Sequence, residues 1–483
     1  MRFPNILALA AACAALAGAA WADSYVGEGW IVRFNRPDQA AYYSRIGAEE
    51  YVLREALLAR IDALASNDWA CLATYTFSGN TAELGAAGPI LAAMSNALVR
   101  GAKLGFVADY GVNVASNYWP GISLTGLATR AGNKLELSRA PSDWGIMHDK
   151  VGVFWYRAST QAWVLAGSWN FTGGASTYQW NVLTEIQDNA LAAAYSNEMR
   201  EMLSGRFHAN PAKSHAHDGA RFRLADVDMW TNGWVRFGPY PDGSAGGSNA
   251  LTDVVAAIDA ATNAIVFALN KLTRPEVAAA LIRACDRGVV VNGTIPKSDR
   301  ADAFDDSYAI YQTLAEPTNY ATANRAFLYD AYSTEWRTDY DAGETDLTHA
   351  KYLVIDPDGA NPLVIQGSAN WTDSALSSTN SNDENVQFLP HPGLARAFVA
   401  QFNAMTDGTV PWCALGPGAV AGESRLAYWL PYANAYELVH TTNLFDGATW
   451  TNRAALLPAG RGTNSLPAPN DAARRFYRIR TVP

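Results

Sequence analysis

The sequence is poor in charge and poorer still in lysine. Charged residues make up 17% of its 483 positions, only seven of them Lys, and the formal net charge is −10. A nucleic-acid binder usually presents a basic surface, so the total argues mildly against DNA as the main partner; a single basic cleft is not excluded. Cysteine is scarce too: four are present and no CxxC pair occurs. Cys13 lies in a segment expected to be removed, which leaves Cys71, Cys285 and Cys413 and allows at most one intramolecular disulfide. Cys71 sits in a strand-like apolar run and Cys285 in a helix-like one, so buried free thiols are expected. Beyond residue 22 no stretch reaches the roughly 18 apolar residues needed to span a bilayer.

What is present is a large apolar fraction, 49% of a chain too long for one ordinary domain. Residues 1–22, "MRFPNILALAAACAALAGAAWA", carry one Arg, then small apolar residues, then Ala20-Trp21-Ala22 before Asp23. That is the pattern of a cleavable secretory signal, preferred over a lipoprotein signal at Cys13 because Ala10 stands where Leu is usual. The mature protein is expected to be soluble and either secreted or periplasmic.

The chain repeats itself. "GWIVRF" (29–34) is answered by "GWVRF" (233–237). Helix-like stretches at 49–65 and 250–264 each lead into strand-like runs, "WACLATYTF" (69–77) and "AIVFALN" (264–270). Second helices, 88–101 and 274–288, both end in Arg-Gly, with Thr273 and Pro275 suited to a helix start. Apolar strands follow at 103–109 and 289–295. Alternating strand and helix predicts α/β layering around a central sheet.

The repeat reaches two chemical motifs. "HDKVGVFW…GSWNFT" is answered by "HAKYLVID…GSANWT", aligning His148 with His349, Lys150 with Lys351, Ser168 with Ser368 and Asn170 with Asn370. From His to Ser is 20 residues in one copy and 19 in the other. His and Lys two apart on a strand share a face, and a second strand ending in Gly-Ser-x-Asn can bring Asn alongside. Two copies about a pseudo-twofold would give one cleft two His, two Lys and two Asn. The set has no carboxylate or thiolate cluster for a metal, and no cofactor is called for. It suits a phosphoryl group: lysines supply charge, amides donate to its oxygens, one imidazole attacks phosphorus and the other protonates the leaving oxygen.

Two H-x-K…G-S-x-N motifs resemble the phospholipase D superfamily over roughly residues 25 to 405. The resemblance implies a duplicated α/β/α sandwich with the site between its halves, and a metal-independent phosphohistidine mechanism. It implies halves at 23–215 and 216–415. The second motif is complete, with His349, Lys351 and Asp356; in the first, Trp155 stands where the largely structural Asp is expected. A later acid is matched by Glu384 in the second half, whereas in the first Trp180 falls at that place and Glu185 is a poor substitute. In the family the acid of one half orients the His of the other. Glu384 is therefore expected to hold Nδ1–H of His148, making His148 the nucleophile and His349 the acid/base.

The resemblance implies hydrolysis of phospholipid head groups by a monomer at a membrane surface. The alternatives are an endonuclease of the same superfamily, or a binding protein that has lost the chemistry. Trp119, Trp144, Trp155, Trp163, Trp169, Trp180 and Trp371 could line a cleft for acyl chains or stack bases, though Trp155 and Trp163 read better as core. "HAHD" (215–218) and the Gly-rich "PDGSAGGSN" (241–249) read as connection and turn, and the acidic 337–346 as a loop able to gate the cleft. After a linker at 416–424, residues 425–483 alternate like strands and predict a small β-rich module.

Overall fold

The computed structural model describes residues 24–35, 51–79, 85–118, 121–143, 145–177, 179–208, 221–224, 232–240, 247–296, 306–329, 348–378 and 382–406, and six strands of the C-terminal region. The signal-like segment, "HAHD", the acidic loop, Trp119 and Trp144 lie outside the described residues.

The first half runs β1 (Ser24–Gly27), β2 (Trp30–Phe34), α1 (Val52–Asp62), β3 (Trp69–Thr74), α2 (Ala87–Arg100), β4 (Lys103–Ala108), α3 (Leu124–Ala131), β5 (Leu135–Arg139), β6 (Lys150–Tyr156), β7 (Gln161–Gly167), α4 (Gly173–Thr177), β8 (Val182–Gln187) and α5 (Asn189–Leu203). The second runs β9 (Phe222–Arg223), β10 (Trp234–Phe237), α6 (Ala250–Ala260), β11 (Ala264–Leu269), α7 (Pro275–Asp286), β12 (Val290–Thr294), α8 (Asp306–Ala315), β13 (Phe327–Tyr329), β14 (Lys351–Ile355), β15 (Leu363–Gly367), α9 (Asp373–Leu376), β16 (Asn385–Leu389) and α10 (Pro392–Thr406).

Each half makes one eight-stranded sheet, in the orders β1-β2-β8-β7-β6-β3-β4-β5 and β9-β10-β16-β15-β14-β11-β12-β13. Position for position the two orders are the same, so the duplication extends to topology. Strands β3, β4 and β5 pair in parallel, as do β11 and β12; the motif strands β6 and β14 pair antiparallel to their neighbours.

Central strands are covered on both faces and so read as continuous apolar runs. In β3, Leu72 joins the core under α1–α3 with Leu57, Ile61, Ile90, Met94, Phe106 and Phe154. The alternate residue Cys71 faces the other way, toward Gly105 and Leu203 of α5. Each such aliphatic side chain contributes about 1.5–3 kcal/mol by leaving water, and Leu72→Ala would cost about 2–5 kcal/mol. Cys71 and Cys285 are buried free thiols.

Local signals set the helix ends. The Asp188 carboxylate accepts Leu191 N–H at 2.7 Å to start α5, and Asn249 Oδ1 accepts Thr252 N–H at 2.9 Å to start α6. The Arg-Gly pairs stop α2 and α7 because Gly101 (φ +98°) and Gly288 (φ +93°) adopt left-handed backbone. Pro275 is the first residue of α7; the cap is Arg274, one residue after the expected Thr273.

The last helix of each half lies between the sheets. Tyr195 of α5 meets Phe237 of β10 edge-on at 4.9 Å, and Phe398 of α10 meets Phe34 of β2 edge-on at 5.4 Å. Gln366 of β15 donates to Thr184 of β8 at 3.0 Å across the same seam. The order of layers is helices, sheet, the two final helices, sheet, helices.

The C-terminal region is a separate compact unit. Its strands β17 (Trp412–Pro417), β18 (Ser424–Trp429), β19 (Tyr436–Thr441), β20 (Thr451–Leu456), β21 (Asn464–Ala468) and β22 (Phe476–Thr481) form two three-stranded sheets, β17-β18-β21 and β20-β19-β22. The expected break near 415–425 is too late: β17 already pairs with β18, from Trp412↔Trp429 to Pro417↔Ser424.

Candidate active site

The motif strands begin at the seam, where short bridges stitch one half to the other. His148 N–H donates to Asp383 O at 3.0 Å, and His349 N–H donates to Trp180 O at 3.1 Å. The bridges Met147↔Asp383 and Trp180↔Thr348 therefore occupy equivalent places. Each motif is thus fixed by the residue two before the last strand of the opposite half.

That equivalence moves one residue of the sequence alignment. Ser168 N–H bonds Val182 O, and Ser368 N–H bonds Asn385 O, so Asn181 is the counterpart of Glu384, and Trp180 that of Asp383. The side chains agree. Ser368 Oγ donates to Glu384 Oε2 at 2.6 Å, and Ser168 Oγ donates to Asn181 Oδ1 at 2.8 Å. Trp180 therefore does not replace the acid; an asparagine does. Glu185 is elsewhere, ion-paired with Arg33 and Arg60 at 2.7 Å each.

His148 Nδ1 lies 2.7 Å from Glu384 Oε1, and His349 Nδ1 lies 2.9 Å from Asn181 Oδ1. The Asn181 amide cannot be turned round, because its Nδ2 donates to Ala175 O at 2.9 Å. Both imidazoles therefore donate from Nδ1, which leaves Nε2 of each as the free lone pair. Only the His148 pair includes a charge.

Lys150 Nζ donates to His148 O at 2.5 Å and Lys351 Nζ to His349 O at 2.9 Å, which anchors each ammonium beside its histidine. Both lysines are about 1% exposed. Asn170 Oδ1 and Asn370 Oδ1 are buried without a hydrogen-bond partner. These are equivalent positions of the two halves, so the orphaned amide oxygen is itself part of the repeat. The motif glycines are forced: a Cβ on Gly167 would lie 2.2 Å from Val182 O, and one on Gly367 2.2 Å from Asn385 O.

Burial sets the protonation states. It pushes His148 down to about 4, assisted by Lys150 and Lys351 and opposed by Glu384. It lowers His349 well below its ordinary value, with Lys351, Lys150 and His148 adding to the effect. Lys150 falls to about 8 by burial, against the pull of Glu384 and Asp149. Lys351 is lowered well below the ordinary lysine value by burial and then by Lys150. For Glu384, burial favours the neutral form, but the charges of His148 and Lys150 and bonds from His148 and Ser368 hold it below the usual glutamate value. At neutral pH the site holds neutral imidazoles against a glutamate carboxylate.

Asp356 lies away from this group. It ties the end of β14 to the loop before β11, accepting Thr262 N–H (2.9 Å), Thr262 Oγ1–H (2.7 Å), Asn263 N–H (2.7 Å) and Ala264 N–H (3.0 Å). In the first half the tie survives with its direction reversed. Asp68, in the loop before β3, accepts Ala65 N–H and Arg157 N–H at 2.8 Å each. Trp155 then donates Nε1–H to Ser196 Oγ of α5 at 2.9 Å.

Of the five described tryptophans proposed for the cleft, three are core: Trp169, Trp180 and Trp371 are 1–2% exposed. Trp163 lies under the Arg60 guanidinium, 3.6 Å from its centroid. The aromatic that does meet the site is Tyr75, edge-on to His148 at 4.9 Å and 5.3 Å from Lys150 Nζ. Its place after β3, facing Asn270 in the repeat, was the available signal. Three further groups went unread: Asn181, Asp149 between His148 and Lys150, and His208, whose Nδ1 is 2.7 Å from Asp383 Oδ2.

A family model described as "Cardiolipin synthase, PLD-like domain" matches residues 61–203 and 254–406. No curated protein matches. Among solved structures, phosphatidylserine synthase of Haemophilus influenzae Rd KW20 is 11% identical, with a TM-score of 0.48 over 79% of this chain and 87% of that one. Polyphosphate kinase of Porphyromonas gingivalis is 11% identical, TM-score 0.46, over 77% of this chain, which spans 50% of the kinase. Nuc of Salmonella typhimurium, a phospholipase D family member, is 23% identical, TM-score 0.26, over 36% of this chain and 95% of its own. With both halves matched, each across its own motif, the chain belongs to the PLD-like domain family and so to the phospholipase D superfamily.

Proposed function

We propose that this protein is an exported phosphodiesterase that hydrolyses phospholipid head groups through a phosphohistidine on His148. The carrying observation is the asymmetric pair of imidazoles: His148 backed by a carboxylate at 2.7 Å, His349 by a neutral amide at 2.9 Å.

Lys150, Lys351, Asn170 and Asn370 receive the non-bridging oxygens of the phosphodiester. The Nε2 lone pair of His148 attacks phosphorus. The N–P bond forms as the bond to the head-group oxygen breaks, and Nε2–H of His349 gives that oxygen its proton. Glu384 stabilises the positive charge that develops on His148. In the second step His349 Nε2 takes a proton from water. The hydroxide attacks phosphorus, the N–P bond breaks, and His148 is restored. Two in-line displacements retain configuration. The diester's negative charge raises the proton affinity of His349 on binding, which supplies the acid form that the empty site disfavours.

Lipid is preferred to nucleic acid on the net charge of −10 and the seven lysines. The family model's description, a cardiolipin synthase domain, points the same way. No helix among the described residues is long and apolar enough to cross a membrane, and export is read from residues 1–22. The test is a paired assay in EDTA of head-group release from phospholipid vesicles and of single-stranded DNA cleavage, each beside His148→Ala. Lipid turnover abolished in the variant supports the proposal. DNA cleavage alone replaces it with a nuclease, and no turnover of either supports a binding protein. Export is checked by whether the secreted chain begins at Asp23.

A further inference from the structure

Between His148 and Lys150 stands a residue that the reaction above does not use. Asp149 is about 1% exposed, and in the second half its place is taken by Ala350. Its side chain crosses the seam. Asp149 Oδ1 accepts Asn385 Nδ2–H at 2.6 Å and lies 3.3 Å from Ser368 Oγ. Asp149 Oδ2 is buried with no hydrogen-bond partner.

The hydrogens around it can be counted. Ser368 has one hydroxyl hydrogen, committed to Glu384 Oε2 at 2.6 Å, while its oxygen accepts Asn385 N–H at 3.0 Å. Asn385 cannot be turned round: Tyr195 Oη already accepts Gln387 Nε2–H at 2.8 Å, so its own O–H donates to Asn385 Oδ1 at 3.0 Å. Asp149 therefore receives a single donor. One donor does not hold an ionised carboxylate out of water, and a second carboxylate, Glu384, shares the same serine.

We propose that Asp149 is a neutral carboxylic acid in the resting enzyme and acts as a positioning residue for His148, acting through Ser368 and Glu384 so that one negative charge, on Glu384, faces the Ser368 hydroxyl. This rests on the reading of His148 as the nucleophile. Ionising Asp149 would set two carboxylates against one hydroxyl and compete for the hydrogen that orients Glu384. The groups facing it are Glu384 and Asp383 ahead of β16, Lys150 on β6, Tyr195 on α5 and Tyr240 after β10. Burial drives both tyrosines far above the ordinary phenol value, so neither supplies charge. Burial likewise carries Asp149 up to about 7; the Asn385 bond opposes this, Glu384 and Asp383 reinforce it, and Lys150 opposes it. The neutral form is therefore held below about pH 7 and lost above it.

The test compares wild type with Asp149→Asn, the neutral isostere. At pH 6 the variant should keep kcat/KM within about threefold. By pH 8 wild type should fall about tenfold relative to it, as one proton is lost across one unit. The Tm difference in favour of the variant should widen from pH 6 to pH 8.5. A carboxylic-acid carbonyl band in the infrared spectrum of wild type at pH 6 should vanish at pH 8.5. Parallel pH profiles, or a folded variant inactive at pH 6, would overturn the proposal. If Asp149→Asn does not fold, the wild-type band decides alone, and its absence at pH 6 is fatal. The infrared and Tm readings need no substrate, so they separate this proposal's failure from failure of the assigned activity.

Discussion

Glu384 and His148 stand 236 positions apart in sequence and 2.7 Å apart at Oε1 and Nδ1, on opposite sides of the seam. Each half completes the other's histidine, but only this pair carries a charge. If that difference divides the labour, the two histidines must fail differently. His349→Ala should accumulate a labelled phosphoenzyme from a diester with a good leaving group, since attack survives while water activation is lost. His148→Ala should accumulate none. Each should lose roughly 10³-fold or more in kcat, with the double variant little worse. Equal labelling in acid-quenched samples would reject the assignment.

Glu384→Gln keeps the shape and removes the charge. It should lower kcat about 10²–10⁴-fold, the range seen when an orienting carboxylate is neutralised. Asn181→Ala removes a neutral acceptor and should cost less. Single-turnover rates for the two variants, with folding checked by circular dichroism, would expose the reverse order.

The pH profile of kcat/KM reports groups of the free enzyme. His148, lowered to about 4, is neutral and nucleophilic above that pH, so the acidic limb should lie near 4. Lys150, lowered to about 8, is a cation below that pH and loses its charge above it. In Asp149→Asn, Lys150 should contribute an alkaline loss near 8 beside any from Lys351, and adding Lys150→Arg should shift the limb. A soluble aryl phosphodiester suffices as substrate. An alkaline limb unmoved by the arginine would clear Lys150 of responsibility.

Asp356 belongs to folding rather than chemistry. Asp356→Ala strands three backbone N–H groups and should cost about 3 kcal/mol, with kcat of the folded fraction nearly unchanged. Hydrogen bonds from Thr262, Asn263 and Ala264 outweigh burial and hold its pKa below the ordinary aspartate value. A depressed folded pKa means its contribution is complete above the unfolded value of about 3.9 and lost as pH falls below it. Urea unfolding at pH 7 and pH 3 should therefore show the wild-type advantage shrinking in acid. A constant gap would contradict this.

The motif residues were legible because their spacing is local: i and i+2 on one strand, then Gly-Ser-x-Asn at the end of the next. The same holds for the duplicated sheet, whose strands and Arg-Gly helix stops repeat in register. Asn181 was not legible. It follows Ser168 by 13 residues, whereas Glu384 follows Ser368 by 16, and the loop between absorbs the difference. Counting along the chain landed on Trp180; only the backbone bridges at the seam set the register. Asp149 was hidden for another reason. As the middle letter of H-x-K it resembles a spacer, and its partners Asn385 and Ser368 come from the other half. Tryptophans near the motifs suggested a cleft, but burial of Trp169, Trp180 and Trp371 reflects sheet packing.

The helices at the seam bear on how such a chain can be divided. Tyr195 completes an aromatic pair with Phe237, and Phe398 one with Phe34, so the final helix of each half, seated on its own sheet, also reaches its neighbour. Severing the polypeptide between the halves would leave two pieces, each baring the apolar flank of a helix made for the other and each with a motif histidine lacking its brace. Neither should be a small enzyme. Produced together, they should behave as obligate complements, with activity rising as the product of their concentrations until the seam closes.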